Sequence, residues 1–479
     1  MATLAILPFC LAMSTTAFSA GDQPIVSTAA EQGDVAITIY NDNLGLVRET
    51  RMLALAAGRN EVRYMDVASQ INPRTVHIIS LTNPQGLQVL EQNYEYDLIS
   101  PEKLMEKFVG RRVRLVFPPS GGDRSAEREM DATLVSTTGG MVYQIGNEFH
   151  VNPPARVILP EIPGGLISVP TLVWLLNSTG QAQRSATKVE TSYLTGGIGW
   201  SADYVGVVSA DDAKADLAGW VTIDNTSGAS YKDAHLQLVA GDVHRAPPAA
   251  MPMMERMDAG GIRAKQQFAE ESLFEYHLYT LDRPATLKDH QTKQIALFEA
   301  AGVPVKKIFL LSGQTGWFQM KLGAIGTDMK VAVMLELTNS QKNGLGIPLP
   351  RGTVRLYKKD SSGGLQFIGE DNIAHTPKDE KITMKMGDAF DVVADRTQTD
   401  YRAVSAGRFD TESEFEIKLR NHKSEPVTVV VREPVPGDWK VLTSTYPWTK
   451  ADAHTIEFSV PVAANAESIL RYRVSLDLN

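Results

Sequence analysis

The chain has 479 residues, too many for a single hydrophobic core, so two or three domains are expected. Hydrophobic residues make up 43% and charged residues 22%, a globular composition that excludes disordered and fibrous classes. The 47 Lys and Arg against 56 Asp and Glu give a net charge of −9 with no basic stripe, which excludes nucleic acid as a partner.

The chain opens on "LAILPFCLAMSTTAFS", an uncharged run of apolar and small residues followed at once by the polar "GDQP". This is the pattern of a secretory signal peptide over residues 1–20, with cleavage near Ala17-Phe18-Ser19 or after Ala20. The run is shorter than the roughly 20 residues a bilayer span requires. Pro8 and Phe9 before Cys10 do not suit a lipid-anchor site, which favours small residues there. Cys10 is the only cysteine, and cleavage removes it, so disulfides, thiol nucleophiles and thiolate zinc sites are excluded from the mature chain. No later run of about 18 apolar residues occurs. The expected mature protein is periplasmic or secreted, soluble and without a transmembrane segment.

Strand signals dominate from there on. "DVAITIYNDN", "LGLVRETRMLAL", "GRNEVRYMDV" and "RTVHIISL" alternate apolar and polar residues between Gly, Asn and Pro breaks, as in sheets with one wet and one buried face. One short helix is predicted in "SPEKLMEKFVG": Ser100 suits the N-cap, Pro101 the first helical position and Gly110 the stop, with Leu104 and Phe108 on one face. Residues 110–163 then carry four or five short strands between Gly-rich turns, and Pro153, Pro154, Pro160 and Pro163 mark the exit. That spacing predicts a small SH3-like barrel inserted into an N-terminal β domain over 21–186.

Residues 187–479 form the second predicted unit, interrupted at His244–Glu271 by a stretch rich in Pro, Ala, Gly and Met that is expected to be a mobile loop. Three stretches in this unit end an alternating strand on Asn and then turn: "WVTIDNTSGASYKDAHLQLVAG", "VMLELTNSQKNGLGIPLPRGTVRLY" and "FEIKLRNHKSEPVTVVVREPV". Asn225, Asn339 and Asn421 are placed to bond the turn backbone. The repeat of strand, turn and strand predicts stacked immunoglobulin-like sheets, so the fold class is mainly β: antiparallel sandwiches, a small inserted barrel and one helix.

The stretches "VETSYLTGGIGWSADYVGVV" and "NTSGASYKDAHLQLVAG" resemble the opening of a bacterial domain of unknown function numbered 4139, with Trp200, Tyr204, Gly228, Tyr231, Leu236 and Leu238 in the pattern positions. "EYHLYTLDRPATLKDHQTKQ" and "LRNHKSEPVTVVVREPVPGDW" resemble the same family, so the likeness covers about residues 187–479. Tyr231 stands where many relatives have Trp. The same domain occurs behind a coiled coil in mucoidy-inhibitor-like proteins, and no such stretch is found here. The resemblance implies an exported or envelope β-protein and brings no catalytic residues or cofactor.

Candidate sites are few. Gly197-x-Gly199-x-x-Ala202 has dinucleotide-loop spacing but precedes a strand, "SADYVGVVSA", rather than the helix such a loop requires. The carboxylates Asp211, Asp212 and Asp216 lack the spacing of a calcium loop, and His235 is a strand residue facing solvent. Met251, Met253, Met254 and Met257 lie within seven residues, beside His244, and thioethers in an oxidising compartment select Cu(I). The stretch Phe274–Glu299 is predicted to be a hairpin turning at Asp282-Arg283-Pro284-Ala285. In its register His277 faces His290, Tyr279 faces Lys288 and Glu275 faces Thr292, with Phe274, Tyr276 and Leu278 on the core side. Two facing imidazoles can share a metal but lack the third protein ligand of a catalytic zinc site, so a solvent-facing ladder of polar pairs is expected. The leading reading is a non-enzymatic exported protein that binds an envelope protein or polysaccharide. The alternatives are a metal-dependent enzyme or hydrolase built on that hairpin and a Cu(I)-binding protein built on the Met-rich loop.

Overall fold

The structure, a computed structural model, describes residues 23–41, 43–119, 127–161, 163, 166–179, 183–241, 268–273, 276–403 and 410–477, with side chains for all of these except 268–273. The expected signal peptide lies outside the described residues. Strands dominate, and a single α-helix occurs among the described residues.

Alternating sequences become strands because one face of each can be buried. In Leu44–Leu55 and Thr411–Asn421 every second residue is buried over most of the length. Two sheets contribute to the first core, together with part of a third described below. The larger runs in the order Phe268–Leu273, Tyr276–Leu281, Tyr231–Ala240, Gln32–Tyr40, Leu44–Leu55, Ser185–Thr195 and His77–Ser80, with Ala285–Leu287 also on Tyr231–Ala240. The smaller runs Ile25–Ser27, Gly58–Met65, Thr171–Ser178 and Leu87–Glu95. N-terminal and C-terminal stretches share the larger sheet: Ser185–Thr195 crosses the expected boundary at 186/187 and pairs along its length with Leu44–Leu55. Among the described residues most strand pairs are antiparallel, but four are parallel, including Tyr231–Ala240 on Gln32–Tyr40.

A second large sheet carries the remainder. Its path begins at Leu365–Ile373 and ends at Asp438–Ser444, and two very long strands stitch it together, Gln291–Ser312 and Lys381–Ala403. The first half of Gln291–Ser312 pairs with Lys214–Asn225 and its second half with Ala324–Thr338 and Val427–Pro434. At about 3.3 Å per residue such a strand spans roughly 70 Å, enough to serve two cores. The first core takes in Trp174, Trp200, Ile223 and Leu356, and the second is built on Phe415, Val429, Phe458 and Tyr472.

The inserted module has a core of its own, made by Met105, Phe108, Leu115, Leu134 and Tyr143. Its strands lie in the order Glu148–Val151, Val142–Ile145, Arg128–Ser136, Arg112–Phe117 and Arg156–Ile158. The expected SH3-like barrel is therefore corrected to an open sheet, because the two end strands do not pair. The link between them explains this. Asn152 turns at φ 45° and Pro153 and Pro154 supply no N–H, so the ladder cannot run on through the bend. The expected loop at 244–271 is also shortened: Phe268–Leu273 is a strand paired with Tyr276–Leu281, and residues 242–267 lie outside the described residues.

Candidate functional site

The helix Pro101–Phe108 forms where its caps require: Ser100 accepts a hydrogen bond from the Lys103 N–H, proline begins the helix, and Gly110 follows its end at φ 81°. Met105 and Phe108 are buried against the inserted sheet. Leu104 and Pro101 face the place where that sheet fails to close. Between them lies a groove of about 480 Å³, lined also by Met141, Asn152, Val157 and Leu159. A second groove of about 430 Å³ adjoins it through Pro153 and Ala155, with Glu127 and Arg156 paired at 3.1 Å on its wall. The edge strand Glu148–Val151, paired on one side with Val142–Ile145, leads into Asn152 on the groove wall and exposes Phe149 (64%) and Val151 (67%).

Among the described residues, the lining of the larger groove holds no carboxylate, imidazole or amine. Its polar side chains are Asn152, whose Oδ1 accepts the Met141 N–H at 2.7 Å, and Tyr143, buried so that its hydroxyl pKa is raised. An apolar groove with an engaged amide can hold an apolar group. The sequence contained only one hint of it, the pairing of a well-capped helix with a short-stranded module. The volume left between the two depends on how they pack.

The predicted hairpin does not form. Tyr276–Leu281 pairs with Gln237–Ala240 on one side and Phe268–Leu273 on the other, so His277 opposes Ala240 and Ser272. The strand Gln291–Ser312 lies in a different sheet against Lys214–Asn225. His290 sits just before it in a turn at φ 54°, with its Nδ1 2.7 Å from Asp289. His277 and His290 are therefore not ladder partners. Tyr279, expected on the solvent face, is buried and donates its hydroxyl to the Pro348 carbonyl at 3.0 Å. Adjacent Leu278 and Tyr279 are both buried, Tyr279 against Trp200, so alternation of polarity does not report exposure on this strand. Met251, Met253, Met254 and Met257 lie outside the described residues, as do Phe274 and Glu275.

The remaining candidates have structural roles. Gly197 turns at φ 71° between two strands, where a Cβ would come within 2.7 Å of Ser227 Cα. Asp212 takes hydrogen bonds from Lys307 and Lys358, which outweigh its partial burial and lower its pKa. His235 is exposed. Two fully buried ion pairs were not anticipated: Glu49–Arg51, with Arg51 stacked 3.7 Å over the Tyr64 ring, and Arg396–Glu433, with Arg396 4.6 Å over Trp317. Each occupies the interior of a sandwich, and neither opens onto a groove described above.

The chain belongs to the family of the domain of unknown function DUF4139, whose pattern matches residues 189–479. A search of curated proteins finds no match to it. No helix among the described residues is long and apolar enough to cross a membrane.

Proposed function

We propose that this protein is a non-enzymatic binding protein of the cell envelope, exported to the periplasm or secreted, and that the groove beside helix Pro101–Phe108 seats an apolar segment of its partner. One observation carries this reading: the groove of about 480 Å³ is apolar, and its polar lining is already engaged or buried. The edge strand Glu148–Val151, which leads into the groove wall, offers backbone groups to an extended chain, so a protein segment suits the site better than a compact small molecule. The signal-peptide pattern in residues 1–20 supports export.

Site-specific photo-crosslinking in intact cells tests the proposal. A photoreactive residue at Leu104 should give a discrete adduct, one at exposed Thr383 should not, and the charge of Leu159→Glu should remove the Leu104 adduct. An adduct pattern that is the same at both positions, or insensitive to Leu159→Glu, would refute the groove as the seat.

A further inference from the structure

The small sheet of the first sandwich ends on Leu87–Glu95, which pairs with Thr171–Ser178 on one side only. Of its nine residues, six consecutive ones are exposed, Gln88–Asn93, and Val89 (40%) and Leu90 (41%) present aliphatic side chains. Edge strands in native proteins are guarded by charged side chains, above all lysine, by proline, by β-bulges or by covering elements. This strand contains no Lys, Arg or Pro. Its one irregularity is a bulge at Leu90, where the pairing skips from Glu91 opposite Leu175 to Val89 opposite Leu176. Among the described residues, no other backbone group bonds to the outer side of Glu91–Glu95. The comparably long end strand Leu365–Ile373 differs, since the backbone of Met386 packs on Gly369 and Asp371 accepts the Lys385 N–H.

Beyond the bulge the side chains alternate in register. Glu91 lies opposite Leu175, Asn93 opposite Val173 and Glu95 opposite Thr171, so Glu91 and Glu95 share one face four residues apart. Neither glutamate makes an ion pair among the described residues. On Gln92 and Tyr94 the other face is tied down, through Gln92 to the Pro73 carbonyl and Tyr94 to the Ser69 carbonyl. The edge is thus ordered, hydrogen-bonding on its free side, and acidic.

We infer that Glu91–Glu95 is a docking edge for a partner protein, which adds an extended segment bearing two cationic residues four positions apart as a fifth strand. The backbone edge requires an extended chain, since no other secondary structure presents amide groups at strand spacing. Facing side chains on paired strands lie about 5 Å apart, so Lys or Arg at these two positions meets each glutamate directly. A second copy of this chain does not fit. Antiparallel pairing of the edge with itself, centred on Asn93, sets Glu91 against Glu95 twice, and centring on Glu91 sets that residue against itself. This surface is separate from the groove of the inserted module.

The test uses the full mature chain and three synthetic peptides. The first is acetyl-Thr-Lys-Thr-Val-Thr-Lys-Thr-amide, the second has Glu for both Lys, and the third is the lysine peptide N-methylated at alternate amides. The lysine peptide should slow hydrogen exchange in Leu87–Glu95 and bind at least 10-fold tighter than the other two. In the surface variant Glu91→Lys/Glu95→Lys the preference should invert in favour of the glutamate peptide, while Leu159→Glu in the groove should change neither result. Equal binding of lysine and glutamate peptides, exchange protection elsewhere only, or protection of this edge by concentration-dependent dimerisation without peptide would each overturn the inference.

Discussion

Asn225 and Asn421 make the same pair of hydrogen bonds within their own turns. Each Oδ1 accepts the N–H two residues on, from Ser227 at 3.1 Å and Lys423 at 3.0 Å. Each Nδ2 donates to the carbonyl four residues on, Ala229 and Glu425, both at 2.9 Å. Each also reaches a carbonyl outside its own turn, Lys288 and Ala463, both at 3.0 Å. Asn339 repeats the arrangement around a longer turn, accepting from Gly346 and donating to the Ile347 and Pro377 carbonyls. All three amides are buried.

Replacing such an amide leaves several backbone groups unmet. Asn421→Ala should therefore lower stability by about 2–4 kcal/mol, at roughly 1–3 kcal/mol for each buried group left without a partner. Asn421→Asp should be no better, because a carboxylate then faces the Glu425 and Ala463 carbonyls. Urea unfolding of the purified variants measures both. A loss below about 0.5 kcal/mol, the range of ordinary surface substitutions, would show that the amide is not a staple.

Arg396 and Glu433 form an ion pair at 2.7 Å with both side chains fully buried. Removing one partner strands the other charge in the core, so Glu433→Gln should cost about 3–5 kcal/mol. The double variant Arg396→Met/Glu433→Leu should recover most of that loss, since desolvation of both ions disappears with them. A double-mutant cycle by chemical denaturation gives the coupling. Additive single effects would mean that the two residues do not act as a pair.

Asp360 sits in an exposed hairpin turn, where hydrogen bonds from Ser362, Gln366 and Gly364 hold its pKa down at about 2. A carboxylate depressed by native contacts stabilises the fold above its unfolded value of about 3.9 and loses that contribution as pH falls through the folded value. Asp360→Asn should consequently be less stable than the parent at pH 6, and the difference should vanish as pH falls through about 2. Carboxyl carbon chemical shifts followed by NMR from pH 6 to 1.5 report the titration directly. An ordinary midpoint near 4 would contradict the turn geometry.

His277 lies on a strand beside Ala240, and His290 in a turn beside Asp289, so no ladder brings them together. Zinc titration of the parent and of His277→Gln/His290→Gln should give indistinguishable isotherms. A stoichiometric site lost only in the double variant would require the two imidazoles to meet.

Local chemistry was readable wherever it involved neighbours in the chain. Ser100, Pro101 and Gly110 bounded the helix because capping is a contest among adjacent backbone groups, and the three asparagines announced their turns for the same reason. Alternation identified the strands and the β class. It could not say which strands pair, because a period of two records which face is buried and contains no address for the partner. Tyr276–Leu281 shows the consequence: it lies against Gln237–Ala240, while the strand expected beside it joins another sheet. The open edge of the inserted sheet, the groove beside Leu104 and the free edge at Glu91–Glu95 likewise depend on where sheets stop. From its own residues the chain determined its helix, its turns and the faces of its strands. Only tertiary packing decided the partners, the edges left open and hence the candidate surfaces, because those follow from contacts between residues far apart in sequence, whose energies no local pattern encodes.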